Sequence, residues 1–292
     1  MHKFDLAKAF SSNLGVDAVP QQDGDFIDAS DGLLHCGICG DAKEVAYKPA
    51  EWMRPLLGSE VKRPRICRCQ AERQAREAAL FEEKRHVQRV AELRAAGIHD
   101  ARLRECTFSA DDQKDIKTRE ICRRYVERWE KVTAERIGLL LWGETGCGKT
   151  FYAACIANAL IEREIKAVLT SIPDLSARLM ANYGEAREAV LEDVRRAPLL
   201  ILDDIGFERS TPTGIENAFS IVDTRYDSGK PLIVTTNLTP DEIKNPTDVA
   251  HKRTLSRIAE LCAVHVHVEG NRREGIAQDR RARALEVLLG DE

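Results

Sequence analysis

The sequence predicts an α/β fold: a three-layer domain built on a parallel five-stranded sheet, preceded by a small α-rich domain that carries clustered cysteines. Three observations predict it. From Ile137 onward, short apolar runs alternate with longer stretches of helical periodicity, the pattern of strands buried on both faces by crossover helices. A glycine-rich loop, GETGCGKT (residues 143–150), lies between the first run and the first helical stretch. Cys36, Cys39, Cys67 and Cys69 stand well ahead of it, in two close pairs.

The 292 residues suffice for one large domain and one smaller one. A hydrophobic fraction of 43% beside 32% charged residues fits a globular protein with many exposed helices. The net charge of −4 excludes a uniformly polybasic nucleic-acid binder, so any such binding must come from local patches. No apolar run approaches the ~18 residues of a membrane span, and no membrane association is expected. The opening MHKFDLAKAFSSNLG has no long apolar core and no cleavage-like site; it reads as a short amphipathic helix. Nine cysteines without an export signal point to a reducing cytoplasm, where thiols stay free or bind metal.

Residues 21–30 are polar and read as a linker. HCGICG then sets Cys36 and Cys39 at C-x-x-C spacing with a glycine after each. Such a knuckle turns two thiolates toward one ion while backbone N–H groups approach the sulfurs. RICRCQ adds Cys67 and Cys69, completing a tetrahedral Zn²⁺ set whose C-x-C half is tighter than usual. His35 borders the knuckle as a competing ligand. The alternatives are separate thiols, or a redox C-x-x-C, which here lacks the flanking strand and helix of that motif. Cysteines 106, 122, 147, 155 and 262 are scattered, and Cys155 falls on an apolar helix face.

Residues 70–96 contain strong helix formers, no Pro or Gly, and opposite charges at i,i+4. They predict a long exposed helix with a thin apolar stripe (Ala79, Leu80, Val87, Val90, Leu93), ended by Gly97. Residues 118–132 predict a second amphipathic helix with Ile121, Tyr125, Val126 and Trp129 on one face.

GETGCGKT fits G-x-x-x-x-G-K-[ST], the phosphate-binding loop of P-loop NTPases. Its glycines let successive N–H groups point at phosphate oxygens, Lys149 adds a charge for the β/γ-phosphates, and Thr150 adds a hydroxyl for Mg²⁺. IGLLLW enters it as a buried strand and FYAACIANALIERE leaves it as a helix. The nucleotide-binding candidates are therefore Gly143, Glu144, Thr145, Gly146, Cys147, Gly148, Lys149, Thr150 and Phe151.

KAVLT (166–170) is the next strand, followed by helical material to residue 196. APLLILDDIG (197–206) is a buried strand ending in two aspartates, the Walker B pattern that delivers Asp203 to the Mg²⁺ shell. Asp204 stands where most such ATPases carry a water-polarising glutamate, and is about one methylene shorter. PLIVTTN (231–237) ends beside the γ-phosphate, where Thr236 or Asn237 would sense it. HKRTLSRIAE is a helix carrying Arg253 and Arg257. In CAVHVHV, the last strand, His265 and His267 read as a solvent-facing edge, and a basic helix closes the chain.

From about Phe108 on, the order GETGCGKT, LLILDDIG, RYDSGKPLIVTTN, SR and GNRR resembles the DnaC/DnaI-like AAA+ ATPases that load replicative helicases, and their relatives the IstB transposition helpers. The HCGIC…CRC module with its charged helix looks like the zinc-bearing region of the loader branch, which IstB proteins usually lack. The resemblance implies that Asn237 is sensor 1, that Arg257 is an arginine finger reaching a neighbouring subunit's nucleotide (Arg253 being the weaker choice), and that Arg273 is sensor 2, with Arg272 competing. It implies that Arg178, Tyr183 and Arg187 lie in a DNA-contacting insertion, two cations for phosphates and one ring for stacking. It also implies a packing or interface role for Arg225.

The expectation is a zinc-binding, helicase-interacting domain at 1–69, a helical linker at 70–107 and an AAA+ ATPase domain at 108–292. The expected function is an ATP-dependent helicase loader of slow hydrolysis in the cytoplasm. It would bind ATP, Mg²⁺ and single-stranded DNA and form a homo-oligomer through its arginine finger. The alternatives are an IstB-like helper of a transposase and a zinc-dependent nucleic-acid-binding adaptor whose P-loop is only structural.

Overall fold

A computed structural model describes residues 21–111, 115–206, 211–246, 251–272, 281 and 283–288. The expected N-terminal amphipathic helix, Arg273 and part of the closing basic helix lie outside them. The chain divides into two compact units, Met1–Arg85 and His86–Glu292, and the division falls inside a 30-residue helix, Arg68–Gly97.

In the first unit, β1 (Phe26–Ile27) pairs with β2 (Leu34–His35), and β3 (Glu44–Tyr47) pairs with β4 (Val61–Pro64), both antiparallel. A short helix, α1 (Arg54–Leu57), lies between β3 and β4, and α2 (Arg68–Gly97) follows. These small sheets were not foreseen, because two- and four-residue strands leave no periodicity to read. A buried ion pair braces them: Lys43 Nζ donates to Asp25 Oδ2 at 2.5 Å and holds the Asp25 carboxyl well below its usual range, at about 2.

The second unit contains α3 (Ile116–Glu127), α4 (Trp129–Ala134), β5 (Leu139–Trp142), α5 (Lys149–Ile161), β6 (Ala167–Ser171), α6 (Ile172–Ala181), α7 (Glu185–Arg196) and β7 (Leu199–Ile205). It continues with α8 (Pro212–Ser228), β8 (Leu232–Thr236), α9 (Pro240–Lys244), α10 (Lys252–Leu261) and β9 (Val264–His267). The five strands of this unit form one parallel sheet in the order β6-β7-β8-β5-β9. Alternate residues build two core layers. Leu139, Leu141, Leu199, Ile201, Ile233 and Val266 pack with α3, α4, α5 and the last turns of α2. Leu140, Leu200, Leu202, Leu232 and Val234 pack with α6, α7, α8 and α10. The three-layer reading holds.

One helix expectation needs correction. Residues 118–132 are not one helix: the chain turns at Arg128, whose φ of −102° and ψ of 25° leave the helical region, and α4 starts afresh. Of the stripe on the long helix, Val90 and Leu93 are buried, whereas Leu80 and Val87 are more than half exposed, because the core of the second unit reaches only its last turns.

One buried cation ties the second layer together. The Arg225 guanidinium, fully buried, donates to Val194 O (3.1 Å), Ala197 O (2.7 Å), Pro198 O (3.1 Å) and Pro231 O. It satisfies carbonyls at the end of α7 and at the start of β8, so its work is packing. Burial lowers its pKa to about 10, which still leaves it charged at neutral pH.

Candidate functional site

The glycine-rich loop leaves β5 at Trp142 and returns into α5 at Lys149. Gly143 has φ +148°, and a Cβ there would lie 2.5 Å from Val268 O, so no other residue fits. Lys149, 7% exposed, is held inside the loop: Nζ donates to Gly143 O at 2.9 Å, Glu144 O at 2.8 Å and Asn237 Oδ1 at 2.8 Å, with Cys147 Sγ at 3.8 Å. The N-terminus of a 13-residue helix adds first-turn N–H groups and the positive end of its dipole, a ready seat for phosphate oxygens.

Thr150 Oγ1 donates to Asp203, 2.9 Å to Oδ1 and 3.1 Å to Oδ2. The hydroxyl and carboxylate expected to share Mg²⁺ are thus side by side, a donor set that suits a hard cation. Asp204 is exposed and has φ +53°, in the left-handed region. Of the two residues proposed at the end of β8, Asn237 meets Lys149, whereas Thr236 is fully buried on the other face and donates to Ile205 O at 2.5 Å.

Sequence reasoning named Arg272 and Phe151 beside the loop but missed the partners that hold them, Asp111 and Tyr152. Arg272 donates its backbone N–H to Gly146 O at 2.8 Å, and its guanidinium reaches Asp111 Oδ1 (2.5 Å) and the Tyr152 hydroxyl (2.8 Å). The same guanidinium lies 4.8 Å from the centroids of the Phe151 and Tyr152 rings. Phe151 therefore flanks the loop through Arg272. Nothing in the sequence links Asp111 to a residue 161 positions later, so only the fold reveals this cluster.

Arg257 lies on α10, with its guanidinium 3.2 Å from Asp223 Oδ1 and 3.9 Å from the Tyr226 ring centroid. Arg253 stacks likewise over Phe219 at 4.2 Å. Phe219, Lys252, Arg253, Ser256, Arg257 and Glu260 line one open depression. Both arginines therefore hold partners on α8, away from the residues gathered around Lys149. Among the DNA candidates, Tyr183 is 86% exposed and Arg178 is exposed beside Asp193 (3.4 Å). Arg187 is half-buried and donates to Leu179 O at 3.1 Å and Asn217 Oδ1 at 3.0 Å.

The cysteine pairs converge. The sulfurs of Cys36, Cys39, Cys67 and Cys69 all lie within 4.8 Å of one another, with Cys36–Cys69 and Cys67–Cys69 at 3.5 Å. Four sulfurs ~2.3 Å from one Zn²⁺ stand about 3.8 Å apart at tetrahedral corners, so the donor set fits. Gly37 permits the knuckle, since a Cβ there would lie 2.1 Å from Gly24 O. Backbone N–H groups of Cys39 and Ile38 lower the Cys36 thiol to about 6, favouring the thiolate a metal needs. His35 is occupied elsewhere: Nδ1 meets Gly40 O at 2.8 Å and Nε2 meets Asp31 Oδ2 at 3.0 Å, contacts that raise its pKa.

A parallel sheet that brings the glycine loop, Asp203 and Asn237 to one edge defines a P-loop nucleotide-binding domain. The family model for IstB-like ATP binding proteins matches residues 71–272, and the chain belongs to that family. Replicative helicase loader DnaI of Bacillus subtilis is 30% identical over 152 residues, 48% of this chain and 49% of DnaI. Replicative helicase loader DnaC of Escherichia coli K12 is 25% identical over 189 residues, 63% of this chain and 74% of DnaC. A crystal structure of DnaI superposes with a TM-score of 0.50 at 24% identity, covering 59% of this chain and 96% of that one, which shows the shared fold. The chain spans about half the length of the first curated relatives it matches. Among the described residues no helix is long and apolar enough to cross a membrane.

Proposed function

We propose that this protein is an ATP-dependent loader of a replicative DNA helicase, acting in the cytoplasm. The observation that carries the ATPase half is the contact of Lys149 with Asn237 beside the Thr150–Asp203 pair, three motifs meeting at one sheet edge. The loader half rests on the similarity to DnaI and DnaC, proteins named as replicative helicase loaders. In this reading Lys149 and the loop amides bind the triphosphate, Thr150 and Asp203 hold Mg²⁺, and Asp204 orients water. Asn237 reports the γ-phosphate, and Arg272 or Arg273 serves as sensor 2. Arg257 completes the site of a neighbouring subunit, so ATP promotes a homo-oligomer. Arg178, Tyr183 and Arg187 contact single-stranded DNA, Arg187 only after releasing Asn217. Cys36, Cys39, Cys67 and Cys69 hold Zn²⁺ in the part that grips the helicase.

The family description and a 26% identical putative insertion-sequence ATP-binding protein of Sinorhizobium fredii favour a second reading, a transposase helper. Affinity capture with purified helicase and transposase decides between them. Binding to helicase, lost on deleting residues 1–85, supports the loader, and binding to transposase alone refutes it. If Lys149→Ala leaves DNA binding, assembly and loading intact, the P-loop is only structural and the adaptor reading replaces both.

A further inference from the structure

β7 and β8 run in parallel register through Leu200↔Leu232, Ile201↔Ile233 and Leu202↔Val234; the register then shifts so that Ile205 opposes Thr236. Asp203 and Asp204 therefore face a single residue, Thr235, which is a β-bulge. Core packing reports the same slip. Leu202 and Ile205 lie in the same core layer although strict alternation would put residues three apart on opposite faces. The extra residue is Asp204, whose positive φ and exposure follow from its release from the pleat.

A bulge takes a backbone N–H out of the ladder. Here the Asp204 N–H donates to Thr235 Oγ1 at 2.8 Å, and the same hydroxyl donates to Asp203 Oδ1 at 2.6 Å. One proton and two lone pairs allow both bonds at once. Thr235 is fully buried, so its hydroxyl makes both bonds out of contact with solvent. Asp203 is thus braced from two sides, by Thr150 from α5 and by Thr235 from β8.

We propose that Thr235 is a positioning residue whose hydroxyl fixes both Walker B aspartates, aiming Asp203 at the metal and holding Asp204 in the bulge. The proposal rests on the ATPase reading above. A valine keeps the shape but lacks the proton and the acceptor, whereas a serine keeps both.

The test uses the full chain as wild type, Thr235→Val and Thr235→Ser. Fluorescent ATP analogue binding is measured in EDTA, and turnover is measured against Mg²⁺ concentration. Thr235→Val is expected to bind nucleotide in EDTA within about twofold of wild type. Its half-saturating Mg²⁺ should rise, and its kcat fall, by roughly ten- to a hundredfold, the range for one lost charge-assisted hydrogen bond. Thr235→Ser should return both toward wild type. An unchanged Mg²⁺ response in Thr235→Val overturns the proposal, as does a Thr235→Ser variant no better than the valine. If Thr235→Val does not fold, Thr235→Ala, which also lacks the proton and the acceptor, carries the same two outcomes. A wild type that neither binds nor hydrolyses Mg·ATP overturns the ATPase reading itself, and this inference with it.

Discussion

Lys149 and Asn237 meet across the candidate site, the lysine Nζ donating to the asparagine Oδ1 at 2.8 Å. This contact joins the first turn of α5 to the residue just past β8, and in the proposed reading a γ-phosphate arriving between them would compete for the lysine. The two substitutions should therefore act differently. Lys149→Ala should weaken Mg·ATP binding by about ten- to a hundredfold, as loss of a charged donor does. Asn237→Ala should leave affinity within about threefold and lower kcat by ~10-fold or more, since its partner keeps the loop carbonyls. Calorimetric binding and steady-state turnover on both variants check this, and equal losses of affinity would contradict it.

Asp204 combines an exposed carboxylate with a backbone that side chains adopt reluctantly. Asp tolerates the left-handed region better than most residues, yet glycine enters it without steric cost. Asp204→Gly should thus leave stability unchanged or raise it by up to about 1 kcal/mol while lowering kcat. Asp204→Glu restores the longer acid and should raise turnover if reach limits hydrolysis. Urea unfolding beside ATP turnover separates the two effects, and a glycine variant with full activity would remove Asp204 from the mechanism.

The four clustered cysteines lie in a unit whose described residues form short strands and bury few apolar side chains. Structural zinc in small modules contributes an apparent ~10–16 kcal/mol, far more than such a core supplies. Protein purified without chelators should contain one zinc per chain, and Cys69→Ser should lose it. Chelation should open residues 21–67 to proteolysis while nucleotide binding by the second unit persists. Absence of stoichiometric metal from the folded protein would refute the site.

Strands buried on both faces wrote themselves into the sequence as apolar runs, which is why 139–142, 199–205 and 232–236 fall inside the predicted segments. The phosphate loop was equally legible, because its chemistry demands glycine, lysine and threonine at fixed spacing. Contacts across long separations were not. Arg272 against Asp111, and Thr235 under the Asp203–Asp204 bulge, depend on how strands register and where the chain returns. LLILDDI shows no sign of a bulge until its partner strand is known. The family resemblance implies a packing or interface role for Arg225, but its four carbonyl partners emerge only from the fold.

Arg225 makes a stability prediction. Arg225→Met removes the donors but leaves the carbonyls of Val194, Ala197, Pro198 and Pro231 buried, each costing ~1–3 kcal/mol if unmet. Partial relaxation should reduce the total to about 3–5 kcal/mol. Arg225→Lys should recover little, since one ammonium cannot reach four carbonyls set for a planar fork. Urea denaturation of both variants checks this, and a loss under about 1 kcal/mol would mean that the carbonyls find other partners.

Arg257 makes the sharpest prediction about assembly. In its own chain its guanidinium is engaged with Asp223 and Tyr226 on α8, not with the loop around Lys149. An arginine that serves a neighbour's nucleotide can be supplied by a subunit whose own loop is dead. Arg257→Ala should therefore bind Mg·ATP with near-normal affinity yet hydrolyse it at least ~10-fold more slowly, a modest fraction of the 10³–10⁵ that an arginine finger contributes in fast GTPases. Lys149→Ala should be inactive alone. Mixing the two should restore turnover, because Lys149→Ala subunits lend intact Arg257 to the intact loops of Arg257→Ala subunits. Recovery should depend on total protein concentration, as association requires. If the mixture is no more active than the sum of its parts at any ratio, Arg257 does not act across subunits, and its pairing with Asp223 and Tyr226 is its whole role.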